Sequence, residues 1–282
     1  MEGAVLDILT AMNRPVPGSD ADRYRTAALD ACRRAAAIER HWFRARDLAV
    51  ERKADASPVT RADREAEGAI REALTAATPE FGILGEEAGQ EGDERHRWIV
   101  DPLDGTKNFI SGIPYFAILL GLELDGEVAF GMVHAPALDQ TWWAARGHGA
   151  FTHSGTDSQA PQSRLRVSTT ARLEDAFLNH GGLVYFQRAG LWPAFSALIG
   201  KAARSRGFGD WWGHMLVAEG VCAAMLEGEV AFHDVAAVKP ILEEAGGAFA
   251  TFRNQPLRPG FRAPVLSSNG ALHGVLAEAL GF

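Results

Sequence analysis

Residues 98–109 read WIVDPLDGTKNF. The apolar run Trp98-Ile99-Val100 has the composition of a buried strand, and it runs into two carboxylates, Asp101 and Asp104, placed around Pro102. Proline cannot donate a ladder hydrogen bond, so the strand is expected to end there and turn. Both carboxylates would then face the space beyond the strand's carboxyl end, where α/β sheets place their sites. Two close carboxylates repel unless one is protonated or a cation lies between them. The carbonyl of Leu103 adds a hard oxygen, and an oxygen-only set suits Mg²⁺ or Mn²⁺ rather than zinc. Gly105-Thr106-Lys107-Asn108 could open a helix whose first N–H groups face an anion held by the metal. Taken alone, the same spacing also reads as an acidic turn with an N-cap aspartate, the commoner use of such a pair.

Working outward, more carboxylates follow apolar runs. GILGEEAG (82–89) is a second apolar strand running into Glu86 and Glu87. In SPVTRADREAE (57–67), Asp63 follows Thr60 where a helix is expected to start. In AFHDVAAVKPILEEAGG (231–247), Asp234 stands before a helical apolar pattern, as an N-cap would. Each acid alone has a plain reading as a cap or a solvated face.

The rest of the chain punctuates these motifs. A long helix is expected in SDADRYRTAALDACRRAAAIERHWF, capped by Ser19, and a second from near Thr60 to just before Pro79. YFAILLGLELDGEVAFGMVHAPALDQTWWAARGHGAFTH reads as three antiparallel strands separated by turn signals. The polar stretch SGTDSQAPQSR is the best boundary between two halves. Beyond it strands are expected at LRVS, AFLNHG, SRGFG, AAMLEG, AFATF and PVLSSN. Helices are expected at AGLWPAFSALIGKAA, DWWGHMLVAEGVC, DVAAVKPILEEAGG and after Gly270. That alternation suggests a layered α/β architecture.

Composition narrows the class. The 282 residues can bury a sizeable core. No apolar run approaches the ~20 residues of a membrane span. The first residues lack the basic stretch of a signal peptide. A net charge of −8 argues against a nucleic-acid binder. The two cysteines, Cys32 and Cys222, are expected as free buried thiols, with the cytoplasm as the default compartment. His148 and His153 are expected at the surface, and the Trp pairs in the core. His214 is a lesser pocket candidate, and Lys53 and Lys107 are candidates to touch phosphate.

GEE, WIVDPLDGTKNF and DVAAVKPILEEAGG, in this order and spacing, resemble the inositol monophosphatase-like family of metal-dependent, lithium-sensitive phosphatases. SPVTRAD, AARGHGAF and SSNGALH add to the resemblance, which runs from about residue 20 to the C-terminus. FGDWWGHMLVAEG (208–220) and APALDQTWWAARGHGAF (135–151) are most similar to the bacterial histidinol-phosphate phosphatases of that family. One departure is His233, where the family usually has Trp before its last metal-binding aspartate.

The resemblance implies a fold, a chemistry and a site. The fold would be a layered αβαβα sandwich: a loose segment at 1–18, an N-terminal α+β half at 19–153 carrying the metal motifs, and a C-terminal α/β half at 154–282. Glu86, Asp101 and the Leu103 carbonyl would hold one metal, and Asp101, Asp104 and Asp234 a second, with two or three Mg²⁺ per site and Mn²⁺ as a substitute. Gly105 and Thr106 would bind phosphate. Thr106 and Asp63 would orient and deprotonate the attacking water. Glu227, Asp210 and His233 would face the alcohol part of the substrate. The implied protein is a cytoplasmic homodimer acting on a small phosphate monoester, with no nucleic-acid or membrane partner. L-histidinol phosphate is the expected substrate. The alternatives are inositol-1-phosphate, a sugar or nucleotide bisphosphate, and an inactive metal-binding regulatory protein.

Overall fold

The computed structural model describes residues 14–52 and 58–282. Lys53 and residues 1–13 of the expected loose segment lie outside them. The remainder of that segment is held in place: the Val16 N–H donates to Arg146 O at 3.0 Å, and Arg146 Nε donates to Arg14 O at 2.8 Å.

Two helices form the first layer. Helix α1 (Gly18–Trp42) presents Ala21, Tyr24, Ala28, Ala31, Cys32 and Ala35 inward, the three- and four-residue spacing of one buried stripe. Its N-cap is Pro17 rather than Ser19, with no side-chain cap bond. After the short hairpin β1 (Val50–Arg52) and β2 (Pro58–Thr60), helix α2 (Arg61–Ala77) opens on Thr60, as its sequence predicts.

An eight-stranded sheet lies beneath. It contains β3 (Gly82–Gly85), β4 (Gly89–Glu91), β5 (His96–Asp104), β6 (Ala117–Leu124), β7 (Glu127–Ala135), β8 (Gln140–Ala145), β9 (Gly149–Ser154) and β10 (Ser163–Arg164). The order is β10-β9-β8-β7-β6-β5-β3-β4. Four strands, not three, occupy 117–154. β10 pairs with β9, so this sheet continues past residue 153. The segment expected as strand LRVS leaves the sheet instead: the Leu165 N–H reaches Ala150 O, and the Val167 N–H reaches Ala245 O on another layer. Both faces of the central strands are buried, and side chains alternate between them. Trp98 and Val100 pack towards α1 and α2, whereas Ile99 packs the opposite way; Ile118 and Leu120 likewise oppose Ala117 and Leu119.

The opposite face meets helices α6 (Asp210–Ala218), α7 (Phe232–Ala236) and α8 (Val238–Glu244). A five-stranded sheet follows, in the order β12 (Arg204–Arg206), β11 (Phe177–His180), β13 (Ala224–Ala231), β15 (Arg262–Ser268), β14 (Ala248–Thr251). Its outer face is covered by α4 (Leu183–Arg188), α5 (Trp192–Ile199) and α9 (His273–Leu280). The layers therefore run helix, sheet, helix, sheet, helix, as the fold class requires. Helix α4 was not expected from the sequence. Cys32 and Cys222 are both buried free thiols.

Candidate active site

The opening motif does not end its strand at Pro102. β5 runs on to Asp104, and its register against β6 slips between Asp101, opposite Leu119, and Asp104, opposite Ala117. Three steps on one strand face two on the other, which is a β-bulge. Pro102 is accommodated there because a bulged residue owes no ladder bond. In a regular strand residues three apart face opposite ways. The bulge turns both Asp101 and Asp104 into one cavity of about 230 Å³. Gly105 closes the strand at φ 90°, where a Cβ would lie 2.7 Å from Tyr115 O, and the one-turn helix α3 (Thr106–Ile110) follows.

Two other strands deliver acids to the same place. β3 runs parallel to β5 and ends with Gly85 beside Val100, so Glu86 comes level with Asp101 and joins the cavity wall. Buried Glu67 of α2 fixes that turn by accepting the Glu87 and Ala88 N–H groups at 2.7 and 3.1 Å. β13 ends at Ala231, and Asp234 lies in the first turn of α7. It is not the N-cap; its Oδ2 reaches back to accept the Ala231 N–H at 2.7 Å.

Asp101, Asp104 and Asp234 offer ligand oxygens all within 4.8 Å of one another. Each is anchored by one oxygen to a backbone N–H. Asp101 Oδ1 accepts from Leu103 at 3.0 Å, Asp104 Oδ2 from Trp211 at 2.9 Å, and Asp234 Oδ2 from Ala231. The second oxygen of each is thereby oriented for a cation. Burial raises the Asp101 and Asp104 carboxyls well above their ordinary range, and neighbouring carboxylates add to this. Asp234 is pushed up to about 7 by burial, with Glu86 and Asp210 contributing. Hard oxygens crowded this closely fit a divalent ion such as Mg²⁺, whose charge would offset what burial and repulsion cost.

Asp63 stands beside this group. Its Oδ2 accepts the Thr60 N–H at 2.7 Å and the Thr60 hydroxyl at 2.6 Å. Its Oδ1 is 3.2 Å from Thr106 Oγ1, which also lies 3.0 Å from Leu103 O. Burial raises the Asp63 carboxyl, and the Thr60 bonds oppose that rise.

The opposite wall carries Gly182, Tyr185, Asp210, Glu227, Glu229 and Arg262. Asp210 N–H donates to Glu227 Oε1 at 3.1 Å, and Asn108 Nδ2 donates to Asp210 Oδ2 at 3.1 Å. Burial, then Asp210 and Asp234, raises the Glu227 carboxyl well above its ordinary range. Burial raises Asp210, against the pull of Lys107. Lys107 lines the cavity and donates to Tyr185 OH at 3.2 Å. His214 also lines it, with Nδ1 2.8 Å from Ser267 Oγ.

His233 is the expected residue that the structure does not bring in. It is half-buried and outside the cavity lining, its ring 6.3 Å from that of Phe232. Adjacent helical residues point about 100° apart, so proximity to Asp234 in sequence does not place His233 on the same face. His153 is buried opposite Thr141 rather than exposed. Tyr185, Glu229 and Arg262 escaped the sequence reading. The register that pairs Arg262 with Ala231 is a tertiary fact, without a local signal.

Residues 20–282 match the family model described as the inositol monophosphatase family. A histidinol-phosphatase of Streptomyces coelicolor is 40% identical, over 85% of this chain and 89% of that protein. One of Mycobacterium tuberculosis is 41% identical, over 87% and 93%. An inositol monophosphatase (IMPase) of Thermotoga maritima superposes with a TM-score of 0.77 at 30% identity, over 90% of this chain and 95% of that one.

Proposed function

The chain belongs to the inositol monophosphatase family, and on that footing we propose that it is a Mg²⁺-dependent phosphomonoesterase that releases L-histidinol and phosphate from L-histidinol phosphate. The histidinol-phosphatases at 40% and 41% identity support that substrate by a narrow margin, since an inositol-1-monophosphatase of Rhizobium meliloti stands at 38%, over less of the chain. The single observation that carries the substrate reading is the acidity of the wall away from the metal acids. Asp210, Glu227 and Glu229 face the space left for the alcohol. Histidinol brings an amine and an imidazole, both able to carry the positive charge that would offset these acids; inositol brings only hydroxyls. His233 is outside the cavity lining, and of the cations inside it Arg262 is paired with Glu229 at 3.2 Å and Lys107 with the Tyr185 hydroxyl, which leaves Asp210 and Glu227 for the alcohol.

In this reading Glu86, Asp101, the Leu103 carbonyl, Asp104 and Asp234 hold two or three Mg²⁺ ions, with Mn²⁺ as a substitute. When bound, such ions neutralise the phosphate dianion, acidify a water and stabilise the leaving alkoxide. The backbone N–H groups of Gly105 and Thr106 bind phosphate oxygens at the start of α3. Thr106 Oγ1 passes its proton to Asp63 Oδ1 as it takes one from the attacking water. Thr60 holds Asp63 in the orientation that this transfer needs. Glu227 and Asp210 bind the cationic alcohol. The metal-holding residues other than Asp234 fall in residues 19–153; Asp234 and the alcohol-binding residues fall in 154–282. The same reading makes the protein a cytoplasmic homodimer. Two buried free thiols suit a reducing compartment, and among the described residues no helix is long and apolar enough to cross a membrane.

A panel of phosphate monoesters with purified protein and Mg²⁺ tests the proposal. kcat/KM for L-histidinol phosphate should exceed that for inositol-1-phosphate by at least about tenfold, the worth of one charge-assisted bond over a neutral one. Equal use of both, or a preference for inositol phosphate, would defeat the substrate assignment and leave the phosphatase assignment standing.

A further inference from the structure

The peptide units of Gly209, Asp210 and Trp211 connect the two walls of the cavity. The Asp210 N–H donates to Glu227 Oε1 at 3.1 Å, on the alcohol side. The next N–H, that of Trp211, donates to Asp104 Oδ2 at 2.9 Å, on the metal side. Two successive N–H groups thus set one carboxylate of each wall. A small rotation of this turn would move both.

The turn is not in a conformation the chain favours. Gly209 has φ 70° and ψ −175°, a region essentially open to glycine alone. Asp210 has φ 48°, in the left-handed region that a non-glycine residue adopts only at a cost. Such a conformation persists only where its surroundings hold it. Besides Glu227 and Asp104, two side chains hold it. Asn108 Nδ2 donates to Asp210 Oδ2, and Tyr115 OH donates to Gly209 O at 2.8 Å. Tyr115 is also locked by its ring, stacked at 5.4 Å on Trp211 and edge-on at 5.2 Å to Trp212. Burial and the facing carboxylates of Asp210, Asp104 and Glu227 keep its phenol protonated, so it remains a donor.

We infer that Tyr115 is a positioning residue: its hydroxyl fixes the 209–211 turn and thereby sets Asp104 for metal and Glu227 for the alcohol together. It lies outside the cavity lining and acts only through that turn. The naming of the two walls rests on the proposed phosphatase function; the shared anchoring does not.

Tyr115→Phe removes the hydroxyl and keeps both ring contacts. Two readouts bear on it. Calorimetric titration of the chelator-stripped protein with Mg²⁺ reports the Asp104 side without any turnover. KM for L-histidinol phosphate, compared with KM for p-nitrophenyl phosphate, reports the Glu227 side. The variant should bind Mg²⁺ about threefold to tenfold more weakly, the scale of one lost hydrogen bond. Its KM should rise by a similar factor for L-histidinol phosphate and by less for p-nitrophenyl phosphate. Thermal unfolding in chelator separates a folding defect from a positioning one. A lowered Tm with Mg²⁺ affinity and both KM values within twofold of wild type would overturn the inference, as would no change in anything. If the wild type hydrolyses no phosphate monoester, the functional proposal fails, while the Mg²⁺ titration still decides whether Tyr115 sets Asp104.

Discussion

One wall of the cavity, Glu86 with Asp101, Leu103, Asp104 and Thr106, comes from a single stretch of chain between residues 86 and 106. The other, Gly182, Tyr185, Asp210, Glu227, Glu229 and Arg262, is gathered from one loop, two helices and two strands. Asp101 is positioned by a bond within its own motif, from the Leu103 N–H. Glu227 is positioned by the N–H of Asp210, on another element. The difference separates the two things an enzyme of this kind must do. Phosphate and metal chemistry needs a few oxygens in one geometry, and one bulged strand with a tight turn provides most of it, completed by Glu86 and Asp234. Recognition of the alcohol needs a shaped and charged space, which only the second sheet and its loops can build.

If this division is right, damage to the two walls should differ in kind. The largest effect is expected for Asp104→Asn. Asn keeps the shape and loses the charge that holds a cation, so turnover should fall roughly a thousandfold or more on every phosphate monoester. Circular dichroism should show a folded protein, and an Asp104→Asn variant with near-normal turnover would dissolve the distinction. Glu227→Gln should act on one class of substrate. kcat/KM for L-histidinol phosphate should drop about tenfold, with little change for p-nitrophenyl phosphate. An equal drop on both would place Glu227 with the metal group instead.

The smallest effect concerns stability and pH, and it isolates the acidic cluster from everything else that titrates. An unfolded aspartate ionises near pH 4, while Asp234 in the fold does so near 7. Between those values the native state binds a proton that the unfolded state lacks. In chelator its contribution to stability is therefore lost as pH rises from about 4 towards 7. Asp101 and Asp104, raised in the same direction, act with the same sign. Buried His134 and His214, both lowered to about 3, act oppositely between about 3 and 6.5, because there the unfolded chain binds the extra protons. His134 lies outside the cavity lining and contributes nearly alike with and without metal, so the Tm difference between Mg²⁺ and chelator reports the groups that line the cavity, its carboxylates foremost. That difference should grow from pH 5 to pH 7.5 and reach roughly 5 °C at saturating Mg²⁺. A difference that is flat across this range would mean the cluster does not bind the ion.

What could be read from the sequence follows the same division. The metal wall was legible because its acids follow apolar strands within short motifs, and the capping box at Thr60–Asp63 is a local signal. The bulge was not, since proline suggests a strand end and only the pairing with β6 reveals that β5 continues. Four strands rather than three were implied by the turns at 125–126, 136–139 and 146–148, each of which closes a hairpin. Helix α4 is six residues long with Leu183 and Val184 exposed, too short and too weakly amphipathic to announce itself. It carries Tyr185, so the alcohol wall was incomplete from sequence. Asp210 and Glu227 were found by resemblance; Glu229 and Arg262 depend on how β13 and β15 meet at the cavity.

The central claim is that a divalent cation held by Asp101, Asp104 and Asp234 is required for hydrolysis of the phosphate ester. Its most direct test is phosphate release from L-histidinol phosphate by protein stripped with a chelator and then titrated with Mg²⁺. The account predicts no release from the stripped protein and a return of turnover as Mg²⁺ is added, with Mn²⁺ able to substitute. Full turnover in metal-free buffer would contradict it.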